Sequence, residues 1–190
     1  MSVEPGTVYW ITGLSGAGKT TIACVLYQKL RQLKPNVVYL DGDTLRAVFG
    51  NDKGHSPEDR RSLALSYSRL CKMLAEQGIE VVCATISLFR EVHEQNRQGI
   101  ENYIEVSVDC ELEELQRRDQ KGLYSKAARG EIRNVMGVDL PYEKPESPDL
   151  IIDNTEPGSL EEKVAKILAL KPRSVLEGGS PAGKEKRITV

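Results

Sequence analysis

The stretch GLSGAGKT, residues 13–20, has the glycine and lysine spacing of a phosphate-binding loop. In the pattern GxxxxGK[ST], the glycines let backbone N–H groups surround phosphates, the lysine reaches the β and γ oxygens, and the hydroxyl ligates Mg²⁺. This pattern gives Lys19 a catalytic role and Thr20 a metal-ligating role. A glycine-rich turn without a ligand is the alternative interpretation. The residues predicted to bind ATP in this segment are Gly13, Leu14, Ser15, Gly16, Ala17, Gly18, Lys19, Thr20 and Thr21.

Two carboxylates follow in the stretch LDGDTLR, residues 40–46. One carboxylate can organise Mg²⁺, directly or through water, while the other orients or deprotonates an attacking hydroxyl. We therefore predict Asp41 and Asp43 as catalytic residues, with Asp41 also a metal ligand beside Thr20. Arg46, three residues later, can hold an anionic substrate. The alternative is a tight turn with aspartate caps and Gly42 at positive φ.

Two further polar segments are candidates for the site. The segment DQKGLYSKAARGEI, residues 119–132, is basic and contains glycine, and it follows the helical pattern ELEELQRR. A mobile basic segment can close over phosphates and exclude water, which predicts a lid, and a solvated charged loop is the alternative. The stretch ATISLFR, residues 84–90, ends a strand that we expect at the centre of the sheet. Ser87 and Arg90 are predicted to line an acceptor pocket there, with a helix N-cap as the competing role of Ser87.

These residues need a scaffold that brings them together. The strand-like runs TVYWI, NVVYL, EVVCATIS, NYIEVSV and DLIID alternate with helical segments. That alternation is typical of a parallel sheet with helices on both faces, in which ligands lie at the carboxyl ends of the strands. Ser56 as N-cap and Pro57 in the first turn begin a long helix. The sequence therefore predicts an α/β fold, a P-loop kinase with a doubly wound parallel sheet and a basic lid.

Length and composition limit the function classes. The chain has 190 residues and a formal net charge of −2, which predicts one domain over residues 1–170 and gives no reason to expect nucleic acid or an anionic membrane as partner. Residues 171–190 are rich in Gly, Pro and Lys and are predicted to be a disordered tail. No apolar run is long enough to span a membrane, and no signal-peptide pattern is found. We therefore expect a cytoplasmic protein whose partner is a small molecule. A homodimer is kept as an open option. The four cysteines, Cys24, Cys71, Cys83 and Cys110, are expected to be reduced and mostly buried.

The motifs GLSGAGKTT, LDGD, SPEDR, TIS, RDQKGLYSKAARGEI and GVDLPYEKP together resemble those of the adenylyl-sulfate kinases. These enzymes transfer the γ-phosphate of ATP to the ribose 3′-hydroxyl of adenosine 5′-phosphosulfate. The resemblance implies that Asp43 lies near the accepting hydroxyl and that Arg118 lies beside the ATP adenine. Some descriptions of the family assign a phosphoserine intermediate to the serine matched by Ser87, but direct in-line transfer needs no such step and is the mechanism that we favour. The residues that the resemblance implies in acceptor binding are Asp43, Arg46, His55, Arg60, Ile86, Ser87, Lys121, Leu123 and Gly137.

The departures from this family pattern concern the acceptor base. Where the family reads GFSxxDRxENIRR, this chain has His55 for the phenylalanine and Leu63 for the asparagine, and where it reads FTGID, Val135 replaces the phenylalanine. The two phenylalanines are the clamp that the family places on adenine, and base stacking contributes about 1–3 kcal/mol per base. The chain is also similar to family members of surface-polysaccharide pathways, one of which acts on cytidine diphosphoramidate. A cytidine nucleotide is therefore the alternative acceptor.

Two other function classes remain as alternatives. A small-metabolite kinase of the gluconate or shikimate type shares the P-loop but does not need KGLYSKAARGEI or GVDLPYE. A non-catalytic nucleotide-binding module would hold ATP without transferring phosphate. The presence of Lys19, Thr20, Asp41 and Asp43 argues against the second alternative.

Overall fold

The computed structural model describes residues 3–50, 54, 56–119, 122–156 and 158–174. Its sheet contains five parallel strands in the order β2-β3-β1-β4-β5, and a short sixth strand pairs antiparallel with the start of β4. The predicted α/β fold with a parallel sheet is confirmed, and each strand-like run contains a strand. The strands are β1 Val8–Thr12, β2 Val37–Asp41, β3 Glu80–Ala84, β4 Asn102–Asp109, β5 Leu150–Asp153 and β6 Arg173–Ser174.

The order of the strands corrects one expectation. The strand before Ile86 and Ser87 was predicted to be central, but β1 is the central strand, with β3 and β4 on its two sides. The P-loop therefore leaves the middle of the sheet, and β3 ends beside it, since Ile11 pairs with Ala84. Strand β2 lies on the other side of β3, with Asp41 opposite Ala84. The carboxyl ends of β1, β2 and β3 thus meet at one edge.

Seven helices surround the sheet in the described residues. Ser56 caps one of them as predicted, because its Oγ accepts a hydrogen bond from the Asp59 N–H at 3.1 Å. The tight turn considered at Gly42 is instead the start of a helix, with Asp41 as N-cap and Gly42 outside the left-handed region. The helices are α1 Lys19–Leu33, α2 Gly42–Phe49, α3 Pro57–Ala75, α4 Arg90–Gly99, α5 Leu112–Arg118, α6 Leu123–Ala128 and α7 Leu160–Leu168.

Strand β1 shows how both faces of the sheet are buried. Tyr9 and Ile11 belong to one apolar cluster, which includes residues of α1 and α7, while Val8 and Trp10 belong to a second cluster, which includes residues of α3. Because successive side chains of a strand point to opposite faces, this division requires helices on both sides. Burial of a side chain such as Ile11, which is 0% exposed, contributes about 1.5–3 kcal/mol. Packing of the helices against both apolar faces of the sheet therefore holds the ends of the strands in fixed positions.

Other sequence expectations have mixed outcomes. In the described part of the chain, no helix combines the length and apolar character that crossing a membrane requires. Cys71 and Cys83 are buried, Cys24 and Cys110 are half-buried, and all four are free thiols. The tail predicted to be disordered over residues 171–190 starts too early, because β6 lies within it and pairs with β4. Residues 175–190 lie outside the described residues.

Candidate active site

The P-loop connects the end of β1 to the start of α1. Gly13 and Gly18 take φ values of 150° and 101°, which L side chains rarely adopt. A Cβ atom at Gly13 would collide with the Val108 carbonyl oxygen, and one at Gly18 would collide with the Asn154 side chain. Gly18 is also the N-cap of α1 and supplies no side chain to cap it. The helix terminus therefore keeps the N–H groups and partial positive charge that bind phosphate.

Lys19 lies over this loop. It is 9% exposed, and its Nζ donates a hydrogen bond to the Leu14 carbonyl oxygen at 2.8 Å. On the other side, Asn154 donates to the Ala17 carbonyl at 2.7 Å and itself accepts from Lys163 at 2.6 Å. The loop is thus fixed from within and from the end of β5. Such a pre-formed loop would hold the Lys19 ammonium group beside a bound phosphate with little reorganisation.

Asp41 is held by three hydrogen bonds at the end of β2. Its Oδ2 accepts from the Thr20 hydroxyl at 3.2 Å and from the Tyr39 hydroxyl at 3.1 Å, while its Oδ1 accepts from the Asp43 N–H at 3.0 Å. Burial and the Asp41 carboxylate raise the pKa of Tyr39 above its ordinary value, so the phenol stays a donor. Hydroxyl and carboxylate oxygens are the hard ligands that Mg²⁺ prefers. Thr20 and Asp41 therefore fit a magnesium site.

An open cleft extends from the P-loop along α2 and α3. Three groups of residues line it. The phosphate-binding group is Ser15, Gly16, Gly18, Lys19, Thr20 and Thr21, and the charged group is Asp41, Asp43, Arg46 and Arg60. The remaining group is Gly42, Leu63, Tyr67, Ala84, Thr85, Ile86, Ser87, Phe89 and Met136. The structure therefore brings most of the predicted phosphate and acceptor residues into one volume.

Arg46 and Arg60 form the positive part of the cleft. Arg46 donates to the Gly54 carbonyl at 2.6 Å, and Arg60 donates to the Asn134 carbonyl at 3.0 Å. Burial and the charge of Arg46 lower the pKa of Arg60, and Asp139 acts in the opposite direction. Two guanidinium groups that repel each other beside a cleft favour an anionic ligand. This is the electrostatic requirement for binding an acceptor that carries a phosphate or sulfate.

Arg118 lies next to the P-loop rather than in the cleft. Its guanidinium donates to the Asn154 and Thr155 carbonyls at 2.7 and 3.0 Å and to the Gly16 carbonyl at 3.4 Å. Its Nε also donates to Glu114 at 2.7 Å. Arg118 therefore joins α5, the P-loop and the segment after β5. This position is next to the loop that would hold ATP.

The predicted lid contains the short helix α6. Asp119, with φ of 33°, accepts from the N–H groups of Tyr124 and Ser125 at 2.8 and 3.3 Å. The Tyr124 hydroxyl donates to the Ser15 carbonyl at 2.8 Å, so this segment contacts the P-loop directly. Leu123, at the start of α6, is half-buried and is not part of the cleft lining. The segment is thus placed where a lid over phosphates would lie.

The other predicted acceptor residues are placed differently. Ile86 and Ser87 line the cleft, and the Ser87 hydroxyl lies 2.8 Å from that of Thr85. Ser87 is not the N-cap of α4, because that position belongs to Phe89. Gly137 packs against Leu14 and lies outside the cleft lining. His55 and Lys121 lie outside the described residues.

Arg90 was predicted in the acceptor pocket, but it is not part of the cleft lining. Its guanidinium pairs with Glu94 at 2.8 Å and with Glu146 at 3.1 Å, and 57% of its side chain is exposed. The reason is that α4 starts at Arg90 and presents the side chain to its own next turn. Arg90 is therefore a surface ion-pair residue.

The sequence did not predict several residues of the cleft wall, among them Tyr67, Phe89 and Met136. A signal for Tyr67 was present, because Arg60, Leu63 and Tyr67 follow the i, i+3, i+7 spacing of one helix face. Apolar spacing in a helix usually indicates core packing, however, and both Leu63 and Tyr67 are indeed buried. Their contribution to the cleft depends on the gap between α2 and α3, which local sequence does not specify.

The chain matches the family model described as Adenylylsulphate kinase over residues 5–153. It is 45% identical over 161 residues to the cytidine diphosphoramidate kinase of Campylobacter jejuni, covering 85% of this chain and 94% of that protein. It is 46% identical over 148 residues to the adenylyl-sulfate kinase of Pseudomonas aeruginosa, covering 77% of this chain and 76% of that protein. The solved structure of the Mycobacterium tuberculosis APS kinase CysC in complex with AMPPNP and APS is similar, with a TM-score of 0.78, 36% identity and coverage of 92% and 99% of the two chains. The residues matched to the family include all of the cleft lining.

Proposed function

We propose that this chain, which belongs to the adenylylsulphate kinase family and is a phosphotransferase with a hydroxyl acceptor, transfers the γ-phosphate of ATP to the ribose 3′-hydroxyl of a nucleotide. The proposed acceptor is adenosine 5′-phosphosulfate, which would become 3′-phosphoadenosine 5′-phosphosulfate. The observation that carries the proposal is that Lys19, Asp43 and Arg46 line one cleft. A phosphate-binding cation, a carboxylate for a hydroxyl proton and a cation for an anionic acceptor are the parts that this reaction needs.

In the proposed reaction the acceptor oxygen forms a bond to the γ-phosphorus, the bond from that phosphorus to the β,γ-bridging oxygen breaks, and ADP leaves. The proton of the attacking hydroxyl passes to the Asp43 carboxylate. Lys19 stabilises negative charge on the transferred group. Direct transfer needs no covalent intermediate on Ser87, whose buried hydroxyl already has a partner in Thr85.

Thr20 and Asp41 would hold Mg²⁺, because they present a hydroxyl and a carboxylate oxygen within 3.2 Å of each other beside the P-loop. An ion bound there with ATP would supply positive charge that offsets the charge of the phosphates. The protein supplies the fixed position of Asp41, through the Tyr39 hydroxyl and the N–H of Asp43. A carboxylate that is already oriented costs little to arrange in each catalytic cycle.

A cytidine nucleotide such as cytidine diphosphoramidate is the second candidate acceptor. The Campylobacter jejuni relative named for that activity is 45% identical to this chain. Leu63, which stands where the family pattern has asparagine, lines the cleft and gives it an apolar surface at that point. A wall without an amide loses a polar contact to the base, which favours a change of base specificity.

The remaining assignments stay predictions. They are the kinase domain over residues 1–170, the cytoplasmic location and the homodimer. The gluconate-type kinase and the non-catalytic module are alternatives that the same assay separates from the proposal. The roles of His55 and Lys121 in acceptor binding also stay predictions.

The test measures ADP release by the purified protein with Mg²⁺ and ATP, alone and with adenosine 5′-phosphosulfate, cytidine diphosphoramidate or gluconate. We expect release that depends on one of the two nucleotides, with the product phosphorylated at the 3′ position. Lys19→Ala should abolish release, while Lys72→Ala, a surface lysine 3.8 Å from Glu76, should leave it unchanged. ATP binding without acceptor-dependent release would contradict the proposal, and stimulation by gluconate alone would favour the metabolite kinase.

A further inference from the structure

Residues 85–89, here called the wall segment, connect β3 to α4 and belong to neither a strand nor a helix. Four of the five line the cleft, namely Thr85, Ile86, Ser87 and Phe89, while Leu88 is 2% exposed and packs into the core. A segment outside regular structure depends on other parts of the chain to satisfy its backbone groups and fix its position. The contacts that hold the wall segment therefore determine the shape of one side of the cleft.

The first half of the wall segment is held by β1. The Thr85 N–H donates to the Ile11 carbonyl at 3.0 Å, one residue beyond the ladder between β1 and β3. Thr12, the last residue of β1, is 0% exposed, and its hydroxyl donates to the Ile86 carbonyl at 2.7 Å. Since the P-loop begins at the next residue, Thr12 joins the phosphate-binding loop to the wall of the cleft.

The second half of the wall segment is held by Glu143, from a distant part of the chain. The Glu143 N–H donates to the Leu88 carbonyl at 3.1 Å, and Oε2 of its carboxylate accepts from the Arg90 N–H at 2.8 Å. Arg90 is the first residue of α4, and Phe89 before it supplies no side-chain cap. Glu143 thus takes the place of a local N-cap, with its negative charge at the positive end of the helix.

The chain that leads to Glu143 borders the same cleft. Met136 lines the cleft, and Gly137 packs against Leu14 of the P-loop. Glu143 itself is exposed and lies outside the cleft lining. Its effect on a ligand in the cleft therefore passes through the wall segment.

We propose that Glu143, together with Thr12, is a positioning residue for the acceptor, because the two hold the wall segment in the position that binds the nucleotide. This inference rests on the proposed function. A wall that is already in place needs no ordering when the acceptor binds, which increases affinity. A wall that is in place only about one tenth of the time lowers the apparent affinity about tenfold.

The test compares the wild type with Glu143→Ala and Glu143→Gln. The acceptor is adenosine 5′-phosphosulfate or cytidine diphosphoramidate, whichever the wild type uses better. We expect Glu143→Ala to raise KM for the acceptor roughly tenfold and to leave KM for ATP unchanged, because the P-loop keeps its own contacts. Glu143→Gln should recover most of this loss, since its amide oxygen accepts the same hydrogen bond. Recovery of this kind, confined to one substrate, is not expected from a general loss of stability.

Glu146→Ala is the matched control for the carboxylate. Glu146 pairs with the guanidinium of Arg90 at 3.1 Å, whereas Glu143 accepts from the backbone N–H of the same residue. The control should therefore leave KM for both substrates unchanged. An effect of Glu146→Ala as large as that of Glu143→Ala would overturn the inference, because it would assign the effect to charge near Arg90.

Thr12→Val tests the inference from the other end of the wall segment. It keeps the shape of the side chain but removes the hydroxyl, so KM for the acceptor should rise, and Thr12→Ser should restore it. Ser107→Ala is the control, because Ser107 lies opposite Thr12 on β4 and is 3% exposed. Its hydroxyl donates to Asp109 at 2.8 Å, and it lies outside the cleft lining. KM for the acceptor should not change in this control.

The outcomes separate this inference from the proposed function. A wild-type KM for the acceptor in Glu143→Ala would overturn the inference, as would equal rises of KM for the acceptor and for ATP. Should Glu143→Ala fail to fold, an unchanged KM for the acceptor in Thr12→Val would overturn it. Absence of transfer to either nucleotide by the wild type would instead overturn the proposed function, and the inference with it.

Discussion

The hydroxyl of Thr20 donates a hydrogen bond to the carboxylate of Asp41 at 3.2 Å, which joins the start of α1 to the end of β2. Asp43, two residues later, lines the cleft together with Arg46. We infer that the carboxylates of the LDGD stretch serve two tasks. Asp41 accepts a hydrogen bond from Thr20 beside the phosphate-binding loop, whereas Asp43 lines the cleft that we propose for the acceptor.

This division predicts different effects of two matched substitutions. Asp43→Asn should lower kcat for acceptor-dependent transfer by roughly 10² or more, because the proton acceptor is lost, with ATP affinity nearly unchanged. Asp41→Asn should keep the cap of α2, because asparagine is a good N-cap, but should raise the Mg²⁺ concentration needed for half-maximal activity several-fold. Titrating Mg²⁺ at fixed ATP separates the two variants. An equal shift of the Mg²⁺ requirement in both would show that the roles are not divided.

Arg117 and Arg118 form a second matched pair, since both donate to Glu114, at 2.6 and 2.7 Å from their Nε atoms. Only Arg118 also reaches the carbonyl of Gly16 in the P-loop. We expect Arg118→Ala to raise KM for ATP about tenfold, because hydrogen bonds from a charged donor contribute about 1.5–3 kcal/mol. Arg117→Ala, whose side chain is 76% exposed, should leave KM for ATP unchanged. Steady-state kinetics at saturating acceptor make the comparison, and equal effects would assign the role to the Glu114 ion pairs.

The sequence predicted those parts of the fold and site that depend on local spacing. The P-loop between TVYWI and TTIACVLYQKLRQL, the Ser56 cap and the five parallel strands are of this kind. Local spacing could not predict the order of the strands, because no residue of β3 specifies whether β3 is the central strand or a neighbour of the central strand. Tyr67 was missed for a related reason. Its helical spacing predicts burial, but its exposure to the cleft results from how α2 packs beside α3.

The burial of Glu105 is a second feature that sequence patterns do not predict, because a glutamate in a strand usually faces solvent. It is 2% exposed and accepts a hydrogen bond from Tyr103 at 2.8 Å. Nδ1 of His93 lies 2.9 Å from the same oxygen, and Arg97 pairs with the other at 3.2 Å. The three partners come from α4 and β4, and they and Glu105 lie outside the cleft lining. Their role is therefore structural.

This cluster predicts a dependence of stability on pH. Burial raises the pKa of Glu105, but His93, Arg97 and Tyr103 lower it more, so the pKa lies below its ordinary value of 4.5. A carboxyl with a lowered pKa in the folded state stabilises the protein above its unfolded pKa, and this stabilisation is lost as the pH falls through the folded pKa. Glu105→Gln should cost roughly 3 kcal/mol near neutral pH, and the cost should shrink below about pH 4.5.

Unfolding in urea at several pH values measures this difference between wild type and variant. The exposed Glu101, replaced by Gln, is the control, because it lies next to the same strand in an exposed position. Its substitution should cost little at any pH. A cost of Glu105→Gln that stays constant down to pH 3 would contradict the assignment of its stabilising effect to the ionised form.

Leu63 is the departure from the family pattern best suited to a test of acceptor choice. Leu63 lines the cleft, whereas Val135 is 3% exposed and lies outside the lining. A phenylalanine at position 135 would therefore overpack a filled space and lower the stability of the fold by about 1–3 kcal/mol. Leu63→Asn restores a polar contact to the base and should raise kcat/KM for adenosine 5′-phosphosulfate relative to cytidine diphosphoramidate by roughly tenfold. Leu65→Asn, on the same helix but outside the cleft lining, should not change that ratio.

A wild-type protein that already strongly prefers adenosine 5′-phosphosulfate, with no gain from Leu63→Asn, would contradict the altered-base hypothesis and leave adenylyl-sulfate kinase activity as the proposal.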